Sequence, residues 1–259
     1  AAWSNRNPDV ITTLLRAGAK LDDRAENGMT PLMWAAWSNR NPDVITTLLR
    51  AGAKLDDRAE NGMTPLMWAA WSNRNPDVIT TLLRAGAKLD DRDNNSMTPL
   101  MYAAESNDNP EVIKLLLNAG AMIDDRDNYG MTPLMYAAAG NENPEVIKLL
   151  LNAGAKIDDR AENGRTPLMY AAAFNQNPEV IKLLLNAGAK LDDRDNNSMT
   201  PLMYAAWSNR NPDVITTLLR AGAKLDDRAE NGMTPLMWAA WSNRNPDVIT
   251  TLLRAGAKL

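Results

Sequence analysis

The string TPLM occurs at Thr30, Thr64, Thr98, Thr132, Thr166, Thr200 and Thr234, each 34 residues after the last. A fixed period of this length commits the chain to an array, in which each copy buries its apolar face only against its neighbours. Cut before each Ala-Ala pair, the copies are 1–34, 35–68, 69–102, 103–136, 137–170, 171–204 and 205–238, with a partial copy at 239–259. They read as one repeat domain over residues 1–259. Both ends of the sequence fall inside a copy, as expected either of an uncapped array or of a stretch of a longer one. Raw repeat faces make head-to-tail association of chains an expectation, as in a filament subunit.

Each copy reads as helix, turn, helix and polar loop, which makes the fold class all-α. Thr30 is placed to cap a helix beginning at Pro31, where the missing N–H costs nothing, and LMWAAW continues it with apolar residues. Ser38, Asn39 and Arg40 supply the turn; Asn41 and Pro42 start a second helix, with Asp43 in its first turn. Val44, Ile45, Leu48 and Leu49 form its buried stripe, and Gly52 ends it in a left-handed conformation. The polar AKLDDRAENGM that follows is a projecting finger, with Asn61-Gly62 suited to a tight turn at positive φ.

TPLMWAA, then VITTLLRAGA or VIKLLLNAGA, then a finger ending in Asn-Gly before the next Thr-Pro, resembles the ankyrin repeat family across the whole chain. The resemblance implies an ankyrin-type helix-turn-helix solenoid with protruding loop fingers. It also implies a non-enzymatic scaffold that grips another protein on a concave groove and on the fingers. Two departures stand out. The histidine of the family's TPLH is Met33 here and its equivalents, so a hydrogen bond gives way to thioether packing. The copies also have 34 residues where about 33 is usual, the extra one lying between the helices, where it lengthens the turn.

Composition narrows the chemistry. The chain has no cysteine and no histidine, which removes thiol nucleophiles, imidazole acid–base mechanisms and the common zinc and haem ligand sets. No cofactor, metal or catalytic residue is expected. Lys+Arg 28 against Asp+Glu 32 gives net charge −4, the wrong sign for a nucleic-acid partner, and no apolar run is long enough for a membrane span. The Asp-Asp pairs, Asp22-Asp23 through Asp226-Asp227, lack the spacing of a calcium loop. The first aspartate of each pair is expected to brace its finger and the second to pair with the arginine that follows it.

Internal comparison locates a candidate site. Copies 1–34, 35–68 and 205–238 are identical, the mark of recent duplication, gene conversion or design. The central copies depart from them at the two positions after Ala-Ala, at the turn and in the finger. Those positions line the groove in the family that the sequence resembles. The candidate protein-binding residues are therefore Glu105, Asp108, Asn128, Tyr129, Glu142, Glu162, Arg165, Phe174 and Gln176, bordered by Trp71 and Trp207. Neutral drift at exposed positions is the alternative source of the same variation.

Copy 103–136 carries Lys114 and Arg126 against Glu105, Asp108, Glu111, Asp124, Asp125 and Asp127, a net of −4, and the next two copies are −1 each. The expected partner is accordingly a protein or peptide with a basic face, although an acidic patch also serves solubility. Trp3, Trp37, Trp71, Trp207 and Trp241 read either as an aromatic ladder for a partner or as structural cover over the turns. Trp34, Trp68 and Trp238, replaced by Tyr102, Tyr136, Tyr170 and Tyr204 elsewhere, read as packing between copies.

Overall fold

The Thr-Pro and Asn-Pro pairs of each copy open helices as their chemistry requires. A computed structural model describes residues 3–258, in which fifteen helices alternate between eight-residue first helices and nine-residue second helices. Thr30 is extended (φ −85°, ψ 164°), and its hydroxyl accepts the N–H of Met33 at 3.4 Å at the start of helix Pro31–Ser38. The Met33 sulfur in turn accepts the Thr30 N–H at 3.4 Å, and Met67, Met135 and Met203 do the same. Methionine therefore does more than pack: its sulfur fills the acceptor role that a capping box usually gives to Glu or Gln.

The second helix of this copy is Pro42–Arg50. The Asn41 side chain accepts the Asp43 N–H at 3.0 Å, and Asp43 lies in the first turn, where the helix dipole favours negative charge. Val44, Ile45 and Leu48 are buried. Gly52 (φ +102°) closes the helix as the Ala53 N–H reaches the Leu48 carbonyl at 3.0 Å, the six-to-one bond of a Schellman end.

The chain divides into two compact units, Ala1–Asn128 and Tyr129–Leu259. Within the first, helices Pro31–Ser38, Pro65–Ser72 and Pro99–Ser106 pack in succession; within the second, Pro133–Gly140, Pro167–Phe174, Pro201–Ser208 and Pro235–Ser242 do so. Up to their paired alanines these helices are apolar on every side, and Pro65 through Ala70 are all buried. The paired alanines, Ala69-Ala70 and their equivalents, leave no side chain to hold adjacent helices apart.

The turn between the helices holds a buried asparagine. Asn73, 2% exposed, donates from Nδ2 to the carbonyls of Ala36 at 2.8 Å and Asn39 at 3.0 Å in the preceding copy. Its Oδ1 accepts the Asn75 N–H at 3.0 Å. Ala36 lies in the last turn of its helix, where carbonyls have no partner of their own, so each asparagine satisfies the helix before it. Asn107, Asn175, Asn209 and Asn243 repeat the pattern. Each Asn-Pro asparagine adds a second rung: Asn75 Nδ2 reaches the Arg40 carbonyl at 2.7 Å.

The fingers are joined along a separate rail. The Glu60 N–H bonds to the Asn27 carbonyl at 3.1 Å, the Asn94 N–H to that of Asn61 at 3.1 Å, and the Glu162 N–H to that of Tyr129 at 3.0 Å. Arg58 reaches Asp91 at 2.8 Å, and Arg24–Asp57, Arg92–Asp125, Arg160–Asp193 and Arg194–Asp227 are equivalent pairs. In these five cases the second aspartate of the Asp-Asp pair thus binds the arginine of the preceding copy, not the one that follows it in sequence. The same guanidinium donates to its own finger at Gly62 and to the next at Arg92. It therefore acts as a cross-link as well as a charge. No helix among the described residues is long and apolar enough to cross a membrane.

The buried ladder sets a stability test. Asn73→Ala removes three bonds and strands the Ala36 carbonyl and the Asn75 N–H, so unfolding free energy falls by about 3 kcal/mol. Arg40→Ala on the exposed turn changes it by less than about 0.5 kcal/mol. Urea unfolding midpoints compare the two, and equal midpoints would refute the ladder's role.

Candidate protein-binding surface

Within each compact unit the variable positions lie at the end of the first helix, in the turn after it and in the finger. On the turn edge of the first compact unit, Trp71 and Glu105 are half-buried and Asp108 is exposed. Asp108 forms an ion pair with Arg74 at 2.8 Å, and with Trp37, Arg40 and Trp71 they line a hollow of about 460 Å³. On the finger edge of this unit, Asn128 is exposed and its Oδ1 accepts from the Ser96 hydroxyl at 2.7 Å. Trp71 and Asp108 are thereby brought together, while Asn128 lies in the finger.

The second unit carries the remaining candidates. Glu142, Phe174 and Gln176 are exposed on the turn edge, where Gln176 Nε2 donates to the Phe174 carbonyl at 3.3 Å. Tyr129 and Glu162 are exposed on the finger edge, and Arg165 is half-buried below them. Tyr129 is 61% exposed and Phe174 51%, and neither aromatic has a counterpart in the flanking copies. Tyr129 replaces the asparagine that elsewhere accepts a finger N–H, as Asn61 does from Met63 at 3.1 Å, and Phe174 stands where Ser38, Ser72 and Ser208 stand.

The two tryptophan sets form one zigzag of ring contacts. In the first unit it runs Trp3–Trp34–Trp37–Trp68–Trp71–Tyr102 with centroids 5.4–6.3 Å apart; in the second it runs Tyr204–Trp207–Trp238–Trp241 at 5.3–6.1 Å. Trp68, Trp238, Tyr102, Tyr170 and Tyr204 are buried as packing residues, whereas Trp37, Trp71 and Trp207 show one face to solvent. The half-buried set therefore has packing contacts and an accessible face together.

A pairing between finger and helix explains the exchange of tyrosine for tryptophan. Tyr102 donates its hydroxyl to buried Asp93 at 2.7 Å, and Tyr204 donates to Asp195 at 2.5 Å. Trp34, Trp68 and Trp238 follow fingers with alanine at that place: Ala25, Ala59 and Ala229. The Trp68 and Trp238 indole N–H groups have no acceptor. Burial, then the hydrogen bond and charge of the aspartate, lift the phenols of Tyr102 and Tyr204 well above the usual tyrosine range. Burial likewise raises the carboxyl of Glu105.

Copy 137–170 breaks this rule. Tyr170 follows Ala161, and its hydroxyl turns to Asn163, with Nδ2 donating at 3.2 Å. Arg165 occupies the place of Met63, Met97 and Met199 in other copies. Its Nε donates to the Tyr204 hydroxyl at 2.8 Å, and its guanidinium lies 4.3 Å from the Tyr204 ring centroid. Thr166, next in sequence, is the one TPLM threonine whose hydroxyl caps nothing, and that hydroxyl is buried without a partner. Arg165 and Trp207 meet at a cavity of about 380 Å³ with Met199, Tyr204, Glu230 and Trp238 in its walls. Sequence comparison singled out Arg165 and Trp207 but missed Tyr204, Glu230 and Trp238. The signal available for them was the matched change of Asp with Tyr and Ala with Trp.

Among the described residues no group of three acidic side chains is placed to hold a metal. What the geometry offers is a rigid helical frame with exposed aromatic and charged side chains on two edges. That is the architecture of repeat solenoids, which present extended surfaces. Family models for ankyrin repeats match residues 1–93, 70–161 and 137–229, and a single-repeat model matches 231–259. The chain belongs to the ankyrin repeat family, whose repeats serve as protein–protein interaction modules. No curated protein matches it at a significant level.

The finger–helix pairing predicts a coupled mutant cycle. Asp93→Ala and Tyr102→Trp each cost about 1–2 kcal/mol alone, while the double variant recreates the Ala59–Trp68 pair and costs clearly less than their sum. Strict additivity would refute the pairing. Because both phenols are held neutral in the fold, their contribution to stability is complete below about pH 10 and declines as pH rises above it. Phenolate absorbance should accordingly show Tyr102 and Tyr204 ionising last, together with alkaline unfolding.

Proposed function

We propose that the chain is a non-enzymatic scaffold that docks a partner protein with a basic face on its central copies. The contact residues are Trp71, Glu105, Asp108 and Asn128 in the first compact unit, and Tyr129, Glu142, Glu162, Arg165, Phe174, Gln176 and Trp207 in the second. One observation carries this reading: Tyr129 and Phe174 are large aromatic side chains introduced only in the central copies, and both are mostly exposed. Burial cannot be what favours an aromatic ring in water on a frame whose other copies do without it, whereas partner contacts do favour it. Charge supplies the partner's sign, since the excess negative charge is confined to copies 103–136, 137–170 and 171–204.

A second reading, self-association, is supported by other exposed apolar side chains. Trp3 and Leu14 in the first unit and Met237, Trp241 and Leu253 in the second are exposed. Light scattering across a concentration series separates the two readings: constant mass near 28.5 kDa leaves partner docking, and growth with concentration favours assembly.

The docking reading is tested by selecting ligands from a Lys/Arg-rich peptide library. Tyr129→Asn and Phe174→Ser restore residues that other copies already carry, so both variants fold. Each should weaken the selected peptide about tenfold, and wild-type affinity should fall at least as much between about 50 mM and 500 mM salt. Salt-independent binding, or binding unchanged by both reversions, would overturn the proposal.

A further inference from the structure

The cavity beside Arg165 is built unlike any other place in the second compact unit. Arg165 stands where other copies carry methionine, and it is held by Nε on the Tyr204 hydroxyl at 2.8 Å and by its guanidinium over the rings of Tyr204 at 4.3 Å and Tyr170 at 5.8 Å. The Tyr204 hydroxyl is itself fixed by Asp195, so the orientation of the arginine is determined before any ligand arrives. Its two Nη atoms make no hydrogen bond or ion pair among the described residues. They form the planar donor edge that pairs with a carboxylate through two parallel bonds.

Most of the cavity wall is apolar, with Asn197, Glu230 and Asn231 as its other polar side chains. Trp207, Trp238 and Met199 wall a space of about 380 Å³, toward the small end for ligand pockets and suited to one bulky side chain. Aromatic walls alone would attract a cation, but Arg165 already lies over Tyr204, and a second cation beside it meets like charge. Glu230 lies in the same wall and would repel an anion, so a bound carboxylate belongs at the Arg165 side with the apolar part of the guest on the tryptophans. Methionine at this place would leave the copy like the others. In the copy that carries arginine, the Thr166 cap is missing and its hydroxyl is buried without a partner.

We propose that this cavity is a recognition pocket for an acidic residue followed by an aromatic one in a partner protein, the carboxylate on Arg165 and the ring against Trp207 and Trp238. The pocket rests on the reading that the chain docks proteins, and it adds a local sequence requirement to the overall basic character of the partner. A basic partner binding to the central copies places its one acidic residue here and so fixes its register on the array.

The test uses capped tetrapeptides containing Glu-Phe or Gln-Phe, followed by tryptophan fluorescence of the full chain. The Glu-Phe peptide should bind at least about tenfold more tightly than the Gln-Phe peptide. Arg165→Met should abolish that preference, whereas Phe174→Ser, outside the cavity, should leave it unchanged to within about threefold. Trp207→Ala should weaken both tetrapeptides alike. Urea unfolding of Arg165→Met checks the fold, and a midpoint at or above wild type is expected, since the substitution restores the residue used in the other copies. Equal affinity for the two tetrapeptides, or a preference that survives Arg165→Met, overturns the pocket. Failure of the Lys/Arg-rich peptide alone overturns the docking reading and leaves the pocket standing.

Discussion

A buried asparagine that bonds backward into the preceding copy is the interaction on which the rest of the structure depends. A first helix of eight residues has too few turns to be stable alone, and it leaves its last carbonyls without partners. Asn73 supplies donors to two carbonyls of the copy before it and an acceptor to its own second helix, tying three elements with one side chain. The cost of burying the amide is met only if all of those bonds form. That requirement fixes the register between copies.

The ladder and the arginine rail divide the labour. Asparagines lock the turn edge, while pairs such as Arg58–Asp91 lock the finger edge. Exposed ion pairs contribute little singly, but here the aspartates are mostly shielded and each guanidinium also binds carbonyls of two fingers. With both edges fixed by side chains that do not change, the positions between them can vary without loss of register. Serine even replaces glycine at left-handed finger positions, as at Ser96 (φ 64°), where Asp93 Oδ1 holds the turn by accepting the N–H groups of Asn95 and Met97.

This division also determines what was legible in the sequence. Helix starts and ends were readable because Thr-Pro, Asn-Pro and Ala-Gly act within a few residues, where capping rules apply directly. The period gave the architecture, and the family model agrees with it. The asparagine ladder was not readable, because a residue constant in every copy offers no internal contrast and its acceptors lie 34 and 37 residues away. The aspartate–arginine pairing was misassigned for a related reason: the sequence neighbour looked sufficient, but the chain turns so that the partner is 33 residues back. Of the candidate site, the variable positions were legible as positions, whereas the reach of Arg165 to Tyr204 needed three dimensions.

Two of the variable positions carry a cost that folding alone does not explain. In the first unit the ring zigzag reaches Tyr102, and the next position of the tryptophan row is Glu105, a half-buried carboxyl whose pKa is raised by burial. A carboxyl with a raised folded-state pKa favours the fold only when protonated, so at neutral pH Glu105 opposes stability where tryptophan would have packed. In the second unit Arg165 displaces a methionine in a copy whose helix cap is missing. Drift across a tolerant surface favours changes that cost little, and these two do not fit that pattern. Charged residues held at a cost, on a frame whose neighbouring copies supply cheaper alternatives, fit the docking proposal better than they fit drift.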